Sequence, residues 1–464
     1  MSESRIHISS KGRQRIEGMR FPDLDWHIPR IGREVRRTVL SNGLVLYTLP
    51  DHSLPLFNLD FRARGGTLHE KRRGKRMASV AQSLLRTGGT ERHAPDEFDE
   101  LLDFHGLTLQ GQARLETTAL SCWGLAEKLP VAVDMAAEAI TCPRFDPGKL
   151  AVIKEQWHEA LRRRNDDPTE TAGREFSLLL YGDDPQGWDD NWEDIEAFTA
   201  EDIRAWHENV WDPAHCYLAA SGDFEEERLI DVLETRFADW PAKRNFVPDI
   251  PALKGQANTG TYLIAREGNQ SCICMGMLGV DRFDAQLPAI KLANYIFGAG
   301  SFFSRLMDKV RTREGLAYSI YSGVDLTLRR RGRVVVSVQT RTEATQRVME
   351  CVTAEMENMR AELVSSAELE QAREALINST YMAFADTEES LSTLMQLEII
   401  GWPEDYYETL LQRYKEVTRE EIREVSERVY RPREMLTVVV GDEEKLAQSC
   451  PQSAQWQPHE IKQL

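Results

Sequence analysis

The chain alternates between two hydrophobic rhythms. Met77, Val80, Ala81, Leu84 and Leu85 fall at i, i+3, i+4, i+7 and i+8, the stripe of an amphipathic helix, and Gly88-Gly89 ends it. Phe302, Leu306 and Val310 repeat at four-residue spacing, with Phe303 and Met307 beside them, and predict a second such helix. Gly298 and Gly300 loosen its entry, and Gly315 supplies a left-handed cap. Beyond the cap, Leu316, Tyr318 and Ile320 alternate with Ala317, Ser319 and Tyr321, which is strand periodicity. Arg311 therefore belongs to the last turn of that helix and Tyr318 to the start of the strand, and the two can converge on one groove. In the first part of the chain, Leu44-Val45-Leu46-Tyr47 starts the first strand, and Leu56 to Ala63 looks like its neighbour. Pro95 opens a helix through Glu97, Leu101 and Leu102, and a β segment follows from Leu107 to Trp123. Helices are then expected around Val131–Ile140 and Lys149–Arg164, and a loop, helix and strand from Phe198 to Phe224.

The segment starting at Phe198 returns, without gaps, at Val417. At a constant offset of 219, Thr199/Thr418, Glu201/Glu420, Ile203/Ile422, Arg204/Arg423, Val210/Val429, Pro213/Pro432, Gly222/Gly441 and Asp223/Asp442 are identical pairs. The chain thus reads as a duplicated domain. Residues 1–33, polar and proline-punctuated, form an extended arm; residues 34–240 and 259–446 form the two halves; residues 241–258, with Pro248 and Pro251, link them; residues 447–464 are a tail. The order of strands and helices suits an α+β fold better than strict βαβ alternation.

Composition narrows the function. Against 57 Lys and Arg stand 75 Asp and Glu, a net charge of −18, and this argues against nucleic acid as the main partner. The seven cysteines give no disulfide framework, and Cys272 and Cys274, with no second Cys/His pair nearby, read as core-facing thiols. No apolar run approaches the ~20 residues of a membrane span. The N-terminus lacks a signal-peptide apolar region, so a cytoplasmic protein is expected, or a periplasmic one if an upstream export signal has been lost.

Arg311, Gly315, Leu316, Ala317, Tyr318 and Ser319 spell Arg-x-x-x-Gly-Leu-Ala-Tyr-Ser. With its helix–turn–strand context, this stretch resembles a motif in the C-terminal domain of the pitrilysin/insulinase family, which includes the mitochondrial processing peptidases. The resemblance covers nearly the whole chain. It implies two homologous α/β halves in a clam-like subunit, with Arg311 and Tyr318 holding the backbone of a bound peptide at an active site completed by a separate domain. The plainer alternative is that Arg311 complements a helix C-terminus and Tyr318 packs.

Catalytic members of that family carry His-x-x-Glu-His on the first long helix of the N-terminal half, with a third ligand, Glu, on a later helix. Matching that helix to Met77–Leu85 places the motif on Ser79, Gln82 and Ser83, which share one face opposite the apolar stripe. Ser and Gln are poor zinc ligands, and neither is a general base near pH 7. Gln156 falls at the third ligand, although a one-residue slip would choose Glu155. His158 and Glu159 read as a helix-surface pair rather than a relic site. No GxSxG elbow, P-loop or interpretable Cys/His pair is present.

The resemblance therefore implies a chain that binds no metal and works beside a homologous HxxEH-bearing subunit, which holds the zinc while this chain helps to bind the peptide substrate. The competing reading is a structural or peptide-binding relative without proteolytic role, like the core subunits of a respiratory complex. Two basic clusters, Lys71–Arg76 and Arg329–Arg333, read as solvated turns, or else as docking points for an acidic partner. Trp188 and Trp192 mark either an interface loop or buried support.

Overall fold

The computed structural model describes residues 27–71, 76–243, 253, 257–327 and 330–462. The fold is α+β, with two six-stranded sheets. The first contains β1 (Arg36–Val39), β2 (Val45–Pro50), β3 (Leu56–Arg64), β4 (Thr108–Ala113), β5 (Thr117–Leu125) and β6 (Cys216–Gly222), in the order β1-β2-β6-β3-β5-β4. The second contains β7 (Gly260–Ala265), β8 (Gln270–Leu278), β9 (Ala317–Thr327), β10 (Arg330–Arg341), β11 (Leu436–Gly441) and β12 (Gln457–Pro458), in the order β12-β7-β11-β8-β10-β9. In both, the late strand enters third, parallel to one neighbour and antiparallel to the other. The stretch from Leu56 therefore does not pair with the strand before it, because β6 lies between them. Residues set apart as a tail contribute β12. Most of the expected arm and linker lies outside the described residues.

Each sheet is covered on one face by helices of its own half. On the first lie α1 (Met77–Thr87), α2 (Pro95–His105) and α3 (Leu129–Thr141), whose Val80, Leu84, Phe98 and Val133 are fully buried. The stripe read from the sequence is thus the face of α1 that packs. The other face of each sheet is covered by a helix from the opposite half. Helix α4 (Pro168–Tyr181) sets Ala172, Phe176, Leu180 and Tyr181 against Cys272, Cys274, Leu436 and Val438 of the second sheet. Helix α5 (Thr387–Ile400) sets Leu391, Leu394, Met395 and Leu397 against Tyr47, Tyr217 and Ala219 of the first. The offset of 219 that joins the repeated segments also carries Pro168 onto Thr387 and Tyr181 onto Ile400. Asp167 and Asp386 cap the two helices, Asp167 accepting from Thr169 N and Glu170 N and Asp386 from Glu389 N.

This exchange turns the hairpin between β9 and β10 into a joint. Arg330, expected in a solvated turn, is buried and ion-paired with Asp184, beyond the end of α4. Arg333 donates to Asp325 at 2.6 Å and to Ser177 at 2.8 Å. Arg76, from the other basic cluster, grips Asp190 through two hydrogen bonds and lies over the Trp157 ring. These arginines are structural pairs, not solvated charges; residues 72–75 and Arg329 lie outside the described residues. Among the described residues, no helix is long and apolar enough to cross a membrane.

Candidate functional site

The Arg311 segment departs from a plain α-helix. Leu306 and Val310 are fully buried, as their spacing requires, but Phe302 and Phe303 are not on the buried stripe. The chain leaves its preceding helix in a wide π-turn at Tyr295–Ala299, turns at Ser301 with φ +51°, and restarts helically only at Arg305. Phe302 and Phe303 stand on the intervening turn, 62% and 68% exposed. Met307–Arg313 is again a π-turn, an irregularity often found at functional sites. Gly315, at φ +61°, closes it: its N–H donates to Arg311 O, and Leu316 N–H reaches Val310 O at 2.8 Å. The left-handed cap predicted from the sequence is present, and the strand β9 starts two residues later.

Arg311 and Tyr318 do meet. The Arg311 guanidinium carbon lies 4.6 Å from the centre of the Tyr318 ring and 4.7 Å from that of Phe302. Tyr318 is 81% exposed, so packing does not account for its position. Neighbouring cations have acidic partners: Arg305 pairs with Glu355 and Glu368, Arg313 with Asp308, and Lys309 and Arg347 with Glu314. Among the described residues, Arg311 has no carboxylate and no side-chain hydrogen bond, so its five donors are free for a ligand.

Glu314 anchors this turn. The Arg347 guanidinium, helped by Lys309, pulls its carboxyl from the ordinary 4.5 to about 2. A depressed carboxylate stabilises the fold fully above its unfolded pKa, and that contribution is lost as pH falls through the folded value. The melting-temperature gap between wild type and Glu314→Gln should therefore be present at neutral pH and shrink from about pH 4.5 to about pH 2. Thermal melts across that range check it, and a gap that stays constant would contradict the anchor.

The zinc-motif positions are arranged differently from the reading above. Ser79, Gln82 and Ser83 all lie on α1, but Gln82 does not face away from the core; it is 1% exposed. In the amide orientation that satisfies both groups, its nitrogen donates to Ala119 O and its oxygen accepts from the Trp211 indole, each at 3.2 Å. Strand β4 lies directly on it: a Cβ on Gly111 would stand 2.2 Å from the Gln82 carbonyl oxygen. Gln82 is thus a buried amide tying α1 to the sheet. Ser83 Oγ is spent on the Ser79 carbonyl, at 3.0 Å. Gln156 and Glu155 are exposed on the helix Pro147–Arg163, and among the described residues no hydrogen bond joins either to α1. No group of three or more His, Cys, Asp or Glu placed to hold a metal occurs among the described residues. Zinc does not fit this donor set, since two hydroxyls and two amides supply neither imidazole nor carboxylate.

The remaining candidates resolve structurally. His158 stacks on Trp192 with ring centres 4.3 Å apart, and Glu159 pairs with Arg163 at 2.6 Å. Trp192 packs with Trp157 and Met77 beside Leu161 and Phe198, and the Trp188 indole donates to Asp183 O. Both tryptophans support their loop. All seven cysteines are free, with Cys272 and Cys274 buried in β8; burial raises both thiols, that of Cys274 to about 11. Besides Gln82, the sequence pattern misplaces Phe302 and Phe303. The signal was their place just after the Gly-Ala-Gly break, where a helix stripe cannot yet have begun.

The fold recurs among solved proteins. A crystal structure from Pseudomonas fluorescens, described as a peptidase M16 inactive domain, superposes with a TM-score of 0.78 at 22% identity, covering 88% of this chain and 98% of that one. The periplasmic protease PqqL of Escherichia coli superposes with a TM-score of 0.74 at 15% identity, covering 94% of this chain and 51% of that one. Residues 197–376 match the family model for the peptidase M16 inactive domain. Over that segment the chain is similar to the M16 peptidases. The segment of the chain that matches contains Arg311 and Tyr318 and excludes the zinc-motif positions on α1. A relative from Streptomyces coelicolor, named an uncharacterized zinc protease, is 25% identical over 414 residues, covering 87% of this chain and 89% of that one. A Helicobacter pylori protein named the non-peptidase homolog YmxG is 22% identical over 380 residues, covering 80% of this chain and 86% of that one.

Proposed function

We propose that this chain is the non-catalytic, substrate-positioning subunit of a zinc peptidase, presenting Arg311 and Tyr318 to a peptide held at the metal site of an HxxEH-bearing homologue. The observation that carries the proposal is the free guanidinium: unlike Arg305, Lys309, Arg313 and Arg347, Arg311 has no acid partner among the described residues and is set beside exposed rings. A cation aimed at solvent with its donors unused is suited to peptide carbonyls, and a positioning group raises rate by fixing the scissile bond near its attacking geometry. The donor set on α1 and the relatives named inactive domain and non-peptidase homolog support the non-catalytic part of the reading. The shared strand order and the 219-residue spacing support a duplicated half, with residues 34–240 and 259–446 as its two copies.

Reconstitution tests the proposal. The chain alone, after gel filtration, should carry well below one zinc per chain and cleave no peptide. Mixed with its HxxEH partner, it should raise cleavage above that of the partner alone. About one tightly held zinc per chain, lost in Gln156→Ala, would overturn it, as would a partner whose activity ignores the addition.

A further inference from the structure

The Arg311 guanidinium is held by rings rather than by charges. Its donors all lie in the guanidinium plane, whereas stacking on an aromatic ring uses its faces. Two ring centres lie 4.6 and 4.7 Å from its central carbon, and among the described residues no N–H of Arg311 is spent on a hydrogen bond. Tyr318 belongs to the motif, but Phe302 does not, and nothing in the core explains it. Phe302 is mostly exposed, it sits on the short turn Ser301–Phe303, and that turn lies between two π-turns in a strained path marked by the positive φ of Ser301. An exposed phenylalanine costs solubility and gains little from burial, and here its ring lies under the one unpaired arginine of the segment.

We infer that Phe302 is a positioning residue for Arg311: together with Tyr318 it holds the guanidinium flat, with its N–H edge turned toward the carbonyls of a bound peptide. The inference rests on the substrate-positioning reading above and adds to it the group that sets the geometry. It follows that Lys cannot replace Arg311, because an ammonium has no plane to hold and no fork of donors. Another aromatic residue can replace Phe302, and an aliphatic residue of similar size cannot.

The test has a spectroscopic arm on the whole chain and a kinetic arm on the complex with its partner. In ¹⁵N NMR the Arg311 Nε–H signal, assigned by its disappearance in Arg311→Lys, should be shifted by ring currents and protected from exchange. Phe302→Leu should move it toward the position of unstacked arginines and speed its exchange, while Phe302→Trp should keep it shifted. In the complex, Phe302→Leu should lower kcat by on the order of two- to fivefold at an unchanged melting temperature, and Phe302→Trp should restore it. An Arg311 signal indifferent to Phe302→Leu would overturn the inference. So would wild-type turnover by Phe302→Leu in a complex that Arg311→Ala impairs, an outcome that leaves the positioning reading intact. If Arg311→Ala and Phe302→Leu are both silent, the positioning reading falls and takes this inference with it.

Discussion

In the reconstituted complex, Arg311→Ala should lower kcat/KM roughly ten- to hundredfold, and Tyr318→Phe by less. A hydrogen bond from a charged donor is worth about 1.5–3 kcal/mol, and each ~1.36 kcal/mol is a tenfold change in rate. Tyr318 would lose one hydroxyl while its ring stays under the guanidinium, so the milder effect follows from the geometry. Neither substitution should shift the melting temperature, because Arg311 makes no ion pair among the described residues and Tyr318 is largely exposed. If Arg311 were only a helix-end charge, the pattern would reverse, with lower stability and unchanged turnover. Melting and cleavage measured on the same preparations separate the two. Intact cleavage with a lowered melting temperature would remove the main support for the subunit reading.

The second large effect concerns the joint between the halves. Asp184→Ala should destabilise the protein by about 3–5 kcal/mol, because it strands a buried guanidinium. Arg330 and Asp184 have side chains 1% and 0% exposed, and among the described residues two of the three guanidinium nitrogens of Arg330 have no hydrogen-bond partner. Asp184 is thus the acceptor that makes burial of this charge tolerable. It also caps the short turn Pro185–Gly187 that follows α4, accepting from Gln186 N at 3.1 Å, so its loss should loosen the connection just beyond the helix that covers the second sheet. Replacing both members with apolar residues of similar volume, Asp184→Leu with Arg330→Met, should recover much of the loss, since no unpaired charge remains. Denaturant unfolding measures both. An Asp184→Ala protein as stable as wild type would show that the pair does not join the halves.

These two residues also mark where the sequence was and was not legible. Periodicity located α1 and the Arg311–Gly315–Tyr318 unit, because a buried stripe and a left-handed glycine cap are local requirements. The same rule misplaced Phe302 and Phe303, whose spacing fits the stripe while Ser301 turns the chain away from it. It also put Gln82 on a polar face, because an amide reads as exposed until Ala119 and Trp211 are brought to it by the sheet. Helix α4 went unread, although Asp167-Pro168 is a good helix start, since its buried face is matched by the second sheet, far along the sequence. Arg330 was read as a turn charge for the same reason: its partner is supplied by the other half. What failed was every feature whose cause is long-range.

The most direct test of the central claim is affinity isolation of the native, full-length chain, with sequencing of what comes with it and metal analysis of the eluate. A homologous subunit carrying HxxEH should come with it in one-to-one ratio, with zinc that follows that subunit when the two are separated. Recovery of this chain only with copies of itself, or zinc that stays with this chain after separation, would contradict that claim.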